Sequence, residues 1–460
     1  MIEGAAALAA RIRAGGVSAR EAVDACLAAI DSVNNDLNAV VQLVAERARA
    51  EAAAADERQA AGAELGPLHG VPATIKDCFA TEGIVTTLGT AGLRSFVPDA
   101  DDVTVARLRQ AGAIVVGKTN CPELLMGLES DNLVYGRTVN PYDATRTCGG
   151  SSGGEAAIVA AGASPLGLGS DSGGSLRVPA HFCGVPTLKP THGRVPITSA
   201  VFPSTGPFSR LRAIGTLAPT VDDLVLALGV LAGPDGRDPW TPPVALPDPS
   251  AVDVAGLRVA VYTSDGVSTP TSETVAAVEA AGLILEKAGA KVETERLPGA
   301  EEAVGIFTGV LGGDGGAGMR RLLEAVGTTE PSPLIANMLA IISANEQPAS
   351  HYADLLARWD RFRLGAMAFL DHFDVVLSPV AGVPALPHGT TFENIRQFGF
   401  VCSHNLTGWP AAVVRAGTSP EGLPIAVQIA AGPWREDRAL ATARQLESAL
   451  GSFPPPTIAA

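Results

Sequence analysis

The sequence predicts an α/β fold in which a largely parallel sheet is covered by helices on both faces. Residues 71–76 and 113–116 are short apolar runs with the length of buried strands, and residues 102–111 between them have a helical pattern. Strands that alternate with helices are typical of parallel sheets, because the connecting helices cover the two faces. The chain has 460 residues, 47% of them apolar, which is enough material for one large core.

The N-terminal region, residues 1–63, is predicted to be helical. Ser18 and Glu21 have the spacing of a capping box, which marks the start of one helix. Residues 44–61 are rich in Ala and Glu, which favours a second helix. From residue 68 the pattern changes to short apolar runs broken by Gly and Pro, so we expect the sheet to begin there.

Beyond the first strands the alternation continues, interrupted by a Pro-, Gly- and Asp-rich connection at residues 231–250. No repeat or heptad divides the chain, which we therefore interpret as one domain. The remaining predicted elements are strands at residues 257–262, 374–379 and 425–429 and helices at residues 271–288, 318–346, 350–373 and 435–450.

Composition and charge exclude several classes of protein. The formal net charge of −15 argues against binding to nucleic acid or to an anionic membrane surface, both of which need a basic face. The six cysteines are scattered, with no C-x-x-C pair, so we expect free, buried thiols in a reducing compartment and no metal site. The first residues do not resemble a signal peptide and no apolar run has the length of a membrane span, which predicts a cytoplasmic protein.

Two clusters of small residues are the strongest sequence signal of a functional site. They read GGSSGG at residues 149–154 and DSGGS at residues 171–175, with an apolar, Ala-rich stretch between them. Gly-rich turns let the backbone approach a reacting group and aim several N–H groups at it. Serines in such turns are exposed and oriented, which points to hydroxyl chemistry at an acyl group. The alternative is that these serines only cap helices or form flexible turns.

Lys76 is the candidate base for such chemistry. It ends the apolar strand predicted at residues 71–76 and is one of only five lysines. Burial disfavours the charged amine and lowers the pKa of a lysine. A neutral lysine can then take the proton that a serine must lose to become a nucleophile. The alternative is a structural ion pair with Asp77 or Glu155, since such pairs also perturb lysines.

Three other motifs compete with this interpretation. Residues 112–119 match the phosphate-binding pattern G-x-x-x-x-G-K-T, but the inner residues A-I-V-V favour a buried strand. Gly149, Ser151 and Gly153 match the nucleophile elbow of α/β-hydrolases, although the preceding segment is polar and contains proline. An esterase that uses Ser151 therefore stays as an alternative. The dinucleotide fingerprint fails, because residues 167–172 lack its third glycine.

These motifs together resemble the amidase signature family. The resemblance is strongest over residues 65–225 and returns after residue 376. It implies a large mixed β-sheet of about eleven strands covered on both faces by helices. The blocks that carry it are the two Ser-Gly clusters and residues 68–77, 183–195, 215–224, 405–411 and 422–429.

The resemblance also implies a single amidase domain over residues 1–460. Its successive parts would be N-terminal helices at 1–63, the signature core at 64–230, a variable substrate-binding insert at 231–375 and a return to the sheet at 376–460.

The family's Ser-cisSer-Lys triad maps by resemblance onto Ser175, Ser151 and Lys76. Ser175 would be the nucleophile, and neutral Lys76 would act on it through Ser151, which is expected at a cis peptide bond. The implied oxyanion hole consists of the backbone N–H groups of Ser172, Gly173, Gly174 and Ser175.

Further residues are expected to support this site. Asp171 and Arg177 are interpreted as an ion pair that braces the second Ser-Gly cluster. The candidate pocket residues include two phenylalanines, which suggests an apolar or aromatic substrate portion, although ordinary core packing would explain them equally well. These candidates are Met126, Gly127, Leu128, Phe398 and Phe400.

The resemblance implies a serine amidohydrolase that cleaves the C–N bond of a small uncharged amide, ester or carbamate through an acyl-enzyme on Ser175. No cofactor and no metal is expected, and the protein is predicted to be a monomer or homodimer. Some relatives instead belong to a tRNA-dependent amidotransferase and act on glutamine together with a partner protein. Residues 300–400 show no obvious polar pair for the α-groups of glutamine. A binding scaffold without catalysis is a third hypothesis, which the intact Lys76, Ser151 and Ser175 disfavour.

Overall fold

Thirteen strands are present in the computed structural model, which describes residues 3–201, 206–344 and 346–460. Eleven of them form one sheet, and the two-residue strands β4 and β5 pair with each other separately. The strands are β1 (Val40–Leu43), β2 (Pro72–Lys76), β3 (Ile114–Thr119), β4 (Asp131–Asn132), β5 (Gly136–Arg137), β6 (Gly167–Asp171), β7 (Thr187–Lys189), β8 (Ala213–Leu217), β9 (Arg258–Val261), β10 (Lys291–Thr294), β11 (Val375–Pro379), β12 (Ala411–Thr418) and β13 (Pro424–Ala431).

Fourteen α-helices accompany the strands in these described ranges, and none of them is long and apolar enough to cross a membrane. They are α1 (Ala5–Arg13), α2 (Ala19–Leu37), α3 (Ala45–Ala60), α4 (Val103–Gln110), α5 (Gly153–Ala160), α6 (Arg177–Cys183), α7 (Val221–Leu231), α8 (Ser272–Lys287), α9 (Ala303–Gly312), α10 (Ala317–Ala325), α11 (Pro333–Ala344), α12 (Ala349–Phe369), α13 (Gly399–Thr407) and α14 (Glu436–Leu450).

The sheet is mixed, with strand order β1-β3-β2-β6-β8-β7-β12-β13-β11-β9-β10. Parallel pairs join β3, β2 and β6 near one end and β11, β9 and β10 at the other, whereas the pairs between β6 and β11 are antiparallel. The mixed eleven-stranded sheet implied by the family resemblance is thus confirmed. The expectation of a largely parallel sheet is wrong, because β12 and β13 are joined by a turn that is too short for a parallel crossover.

Helices cover both faces of the sheet, and β3 shows how the sequence directs them. Val115 belongs to the core cluster that also contains buried residues of α7 and α14. Its neighbours Ile114 and Val116 belong to the cluster that contains buried residues of α2 and α5. Side chains of a strand alternate between faces, so a continuously apolar strand is buried on both sides. The core therefore consists of two apolar layers with the sheet between them.

Most predicted elements are present, but strands β7, β8, β10 and β12 were not predicted, and three further differences are informative. Residues 40–43 form edge strand β1 within the region predicted to be helical, and residues 318–346 contain parts of two helices, α10 and α11, rather than one. Strand β6 was not predicted, because its sequence G-L-G-S-D has a low strand propensity. Packing explains one of its glycines: a Cβ atom on Gly169 would lie 2.9 Å from the Ser152 hydroxyl oxygen.

The start of α7 supports a stability prediction. Asp223 closes a capping box with Thr220 and also accepts a hydrogen bond of 2.8 Å from the backbone N–H of Ala6, which attaches α1. We expect Asp223→Ala to lower the free energy of unfolding by about 2 kcal/mol, because a cap and a largely buried hydrogen bond are lost. Asp222→Ala, which removes only an exposed pair with Arg444, should cost well under 1 kcal/mol. Calorimetric unfolding of both variants checks this, and equal losses would contradict it.

Candidate active site

A cavity of about 600 Å³ lies where the two Ser-Gly clusters meet the C-terminal half of the chain. Its walls are mostly apolar and come from residues 124–133, the loop that follows β6, helices α9 and α11, and residues 389–402. The charged residues that line it in the described part of the chain are Glu129, Asp131 and Arg137. Ser151 and Ser175 both line this cavity, so the fold brings the two predicted serines to one space.

Lys76, at the end of β2, is fully buried beneath this cavity. Its Nζ lies within hydrogen-bond distance of the hydroxyl oxygens of Ser151 at 2.7 Å, Ser152 at 2.9 Å and Ser170 at 3.2 Å. No carboxylate in the described part of the chain lies within 4.0 Å of this amine. Burial lowers the pKa of Lys76 from its ordinary value, because little nearby charge compensates for the lost hydration. The arrangement favours a neutral amine that exchanges protons with hydroxyls.

The two carboxylates considered as ion-pair partners of Lys76 have other contacts. Asp77 accepts hydrogen bonds from the backbone and side chain of Thr87 and lies 3.8 Å from Lys118. Glu155 accepts a hydrogen bond from the Thr74 hydroxyl, and burial raises the pKa of its carboxyl to about 8. The structural ion pair proposed for Lys76 is therefore not formed.

The first Ser-Gly cluster leads from a tight turn into α5. The Gly150–Ser151 peptide bond is cis, as expected from the family resemblance. The backbone N–H of Ser152 donates to the carbonyl of Ser175 at 3.1 Å, which holds the two clusters side by side. Among the described residues, the Ser175 hydroxyl has no hydrogen bond, including none to Ser151. Catalytic hydrogen bonds are often open before the substrate binds, so this geometry leaves Ser175 free to meet a ligand.

The second Ser-Gly cluster is organised by the carboxylate of Asp171. The backbone N–H groups of Gly174, Leu176 and Arg177 donate to it, at 2.8 Å, 3.2 Å and 3.4 Å. The Gly174 N–H, which we predicted to belong to the oxyanion hole, is thus engaged by Asp171 in this structure. The N–H groups of Ser172, Gly173 and Ser175 have no acceptor among the described residues.

The predicted ion pair between Asp171 and Arg177 is present and fully buried, with 3.0 Å between Oδ2 and Nε. Burial alone would raise the pKa of Asp171, but the charge and hydrogen bonds of Arg177 hold it well below its usual range. Asn405 donates to Asp171 at 2.8 Å and accepts from Arg177 at 2.6 Å, and Gln428 accepts from Arg177 at 3.0 Å. Residues from β6, α6, α13 and β13 thus form one network beneath the cluster.

The predicted pocket residues divide into two groups. Met126, Gly127, Leu128 and Phe398 line the cavity. Phe400 does not: it is fully buried and stacks on Tyr262, with ring centroids 6.0 Å apart. Because residues two positions apart on a helix point in nearly opposite directions, the turn that aims Phe398 at the cavity aims Phe400 away from it.

Several wall residues were not predicted. Phe307 of α9 lies against the backbone of Gly173, where an added Cβ atom would come within 2.5 Å of the ring. Phe208 meets Phe307 edge to face at 6.5 Å, and Leu334 and Met338 of α11 also line the cavity. No motif marks these positions, because an apolar residue at any of them fits ordinary core packing equally well.

The competing motifs do not form the sites that they resemble. Residues 114–119 of the phosphate-binding pattern are strand β3, with Lys118 fully buried rather than in an exposed loop. No strand leads directly into Ser151, as a nucleophile elbow requires. In the described ranges no three His, Cys, Asp or Glu side chains are grouped so that they could hold a metal ion.

Comparison with known proteins places these features in one family. A sequence model described as Amidase matches residues 21–440. The A component of the glutamyl-tRNA(Gln) amidotransferase of Synechococcus sp. strain CC9605 is 34% identical, over 96% of this chain and 95% of the relative. Indoleacetamide hydrolase of Bradyrhizobium diazoefficiens is 35% identical, over 96% of this chain and 86% of the relative. The solved structure of 6-aminohexanoate cyclic dimer hydrolase with its substrate superposes with a TM-score of 0.89 at 27% identity, covering 99% of both chains.

The buried ion pair supports a test of what holds the second Ser-Gly cluster. We expect Arg177→Met to lower the free energy of unfolding by about 3–5 kcal/mol, because it leaves the Asp171 carboxylate buried without its cation. The double variant with Asp171→Asn should lose less than the single variant, since no uncompensated charge remains. Thermal unfolding of the three proteins measures the difference. A double variant that is less stable than Arg177→Met would contradict this account.

Proposed function

The chain belongs to the amidase signature family, whose members are hydrolases acting on carbon–nitrogen bonds, and from that premise we propose that it cleaves small, uncharged amides with an apolar or aromatic portion. The observation that carries this proposal is the hydrogen bond of 2.7 Å between the buried Lys76 amine and Ser151, on the wall of the cavity that also holds Ser175. A base, a relay hydroxyl and a second hydroxyl at an apolar cavity suit acyl transfer.

In the proposed mechanism Ser175 is the nucleophile. Neutral Lys76 takes the proton of Ser151 while Ser151 takes the proton of Ser175, and the Ser175 Oγ forms a bond to the carbonyl carbon. The C–N bond then breaks, and the proton returns through Ser151 to the leaving amine. Water, deprotonated by the same relay, attacks the acyl-enzyme and releases the acid together with the free Ser175 hydroxyl. Neither the formation nor the hydrolysis of the acyl-enzyme needs a cofactor in this proposal.

The free backbone N–H groups at the second Ser-Gly cluster supply the proposed oxyanion hole. Ser172, Gly173 and Ser175 keep their donors available, whereas the Gly174 donor is engaged with Asp171. Donors fixed in this way do not reorganise as negative charge develops on the carbonyl oxygen, and each can contribute on the order of 3 kcal/mol to the transition state. Asp171 and Arg177 act in this proposal by holding the loop.

The cavity favours a substrate without formal charge. Its one guanidinium among the described residues, that of Arg137, pairs with Asp131 at 3.0 Å. Glu129 is engaged by Gly389 at 2.8 Å and by Thr391 at 2.9 Å. A charged substrate would therefore leave its ionic groups unpaired in an apolar space, which is costly. The aromatic wall of Phe307 and Phe208 and the name of the indoleacetamide hydrolase relative both favour an aromatic portion.

The second candidate function is the glutaminase half of a tRNA-dependent amidotransferase. It is supported by the 34% identity with the amidotransferase component of Synechococcus. It requires a partner for the α-carboxylate of glutamine, and the only cavity guanidinium in the described ranges already has a carboxylate. The hydrolase of apolar amides therefore fits the cavity better.

The role of Lys76 is tested by its replacement with methionine, which keeps the volume and removes the amine. Loss of the general base should lower kcat/KM by about 10³-fold. In the unaltered enzyme, kcat/KM should rise with pH as Lys76 loses its proton and should level off below its ordinary pKa of 10.5, since burial lowers that pKa. Lys291→Met, at an exposed position, is the control. Activity that falls only in proportion to folded protein would favour a structural role for Lys76.

The nucleophile and substrate class are tested together. An aryl sulfonyl fluoride should label Ser175, as read by intact mass and peptide mapping, and Ser175→Ala should abolish the label. In a panel of anilides, arylacetamides, esters and glutamine, the uncharged aromatic amides should show the highest kcat/KM. A label on Ser151 would contradict the assigned nucleophile. Ammonia release from glutamine that exceeds turnover of every aromatic amide would favour the amidotransferase function.

A further inference from the structure

A second pocket, of about 220 Å³, lies behind the C-terminal end of α13. It shares no lining residue with the large cavity among the described parts of the chain. Its volume is below the roughly 300–1,000 Å³ of sites for drug-sized ligands, so it suits a molecule with a single ring. The side chains that give it chemical character are Arg210, Arg363, Asp360, His192, Trp240 and Trp359.

Two guanidinium groups of this pocket have no acidic partner. In the ranges that the structure describes, neither the Arg210 guanidinium nor the Arg363 guanidinium makes an ion pair or a hydrogen bond. Asp360 is the only carboxylate on the wall, and it lies beyond 4.0 Å from both. Burial lowers the pKa of His192, which lines the same pocket, and the charges of Lys189, Arg363 and Arg210 lower it further. In a chain with a net charge of −15, two free cations at one pocket indicate an anionic ligand.

Aromatic surface lies beside these cations. The Arg210 guanidinium is 5.0 Å from the centre of the Trp240 ring, and His192 meets the same ring edge to face at 6.3 Å. Trp240 remains 43% exposed, so part of its surface is available. Trp359 is buried, and its indole N–H donates to the Leu406 carbonyl at 2.8 Å, which leaves only its apolar ring for a ligand. A flat apolar body can therefore lie beside these cations, against the exposed part of the Trp240 ring.

We propose that this second pocket binds a small aromatic carboxylate, with the carboxylate at Arg210 and Arg363 and the ring against Trp240. Guanidinium groups are planar donors that match a carboxylate in paired hydrogen bonds, and they stack well beside aromatic rings. Asp238, an acid that raises the pKa of His192, already accepts hydrogen bonds from Trp240, Thr241 and Ile197, so it does not compete for the guanidiniums. The proposal does not depend on the hydrolytic function, because no step of that chemistry involves this pocket.

The experiment must distinguish the second pocket from the large cavity, since an aromatic acid also resembles a hydrolysis product. Benzoate is the probe, benzamide is its uncharged counterpart, and binding to the full chain is followed by calorimetry and by tryptophan fluorescence. We expect Arg363→Gln and Arg210→Gln each to weaken benzoate binding about tenfold, because each removes a charged hydrogen-bond donor. Arg361→Gln, an exposed position on the same helix outside the pocket, is the matched control and should leave binding unchanged.

Three results would overturn the proposal. One is benzoate binding that is the same in the unaltered protein, Arg363→Gln and Arg210→Gln, because the ligand would then occupy another site. Another is benzamide binding as tightly as benzoate, since the cations would then contribute nothing. The third is no benzoate binding up to about 10 mM. Conversely, loss of the benzoate-dependent fluorescence change in Trp240→Phe would support contact with that indole. The arginines and Trp240 are exposed, so circular dichroism should show folded variants.

Discussion

A fully buried amine whose partners are hydroxyls rather than carboxylates is the constraint on which this structure depends. Removing Lys76 from water costs free energy while it is charged, and three serine hydroxyls offer it hydrogen bonds without a compensating negative charge. The neutral form is therefore favoured by the same contacts that fix the amine in place. Those contacts require β2, β6 and the cis turn before α5 to meet at one point, so the sheet and both Ser-Gly clusters must be arranged around the lysine.

Asp171 has the complementary role beside the proposed nucleophile, Ser175. Its carboxylate keeps its negative charge in the core because Arg177 compensates it and because three backbone N–H groups and Asn405 donate to it. The ion pair and these hydrogen bonds offset the cost of burying the two charges, and they fix the loop so that its remaining N–H groups are not used by the carboxylate. This explains why the Gly174 donor is engaged while those of Ser172, Gly173 and Ser175 stay free. The polar network is thus a support for the loop and is separate from the proposed proton relay.

An earlier and a later part of the chain contribute differently to the site. Residues 76–177 supply the amine, the serines and the braced loop, whereas much of the apolar wall comes from α9, α11 and residues 389–402. The short 3-10 helix Pro207–Leu211 touches both spaces, with Phe208 at the large cavity and Arg210 at the second pocket. Helix α13 also borders both spaces, because Cys402 lines the large cavity and Leu406 lines the second pocket. Neighbouring pockets with opposite character, one apolar and one cationic, therefore share their structural supports.

The sequence by itself determined the features that depend on near neighbours. The Ser-Gly clusters, the lysine at the end of an apolar strand and the capping box at Ser18 could be identified from the sequence, because each is defined within a few residues. Only the tertiary structure decided which groups meet across the sheet. It gave Lys76 three hydroxyls instead of Asp77 or Glu155, engaged the Gly174 N–H, and turned Phe400 towards Tyr262. It also placed Phe307 on Gly173 and left two arginines free at a second pocket. Apart from the Gly174–Asp171 hydrogen bond, which is local, these contacts join residues tens to hundreds of positions apart. They follow from strand order, register and helix rotation, which no local pattern encodes.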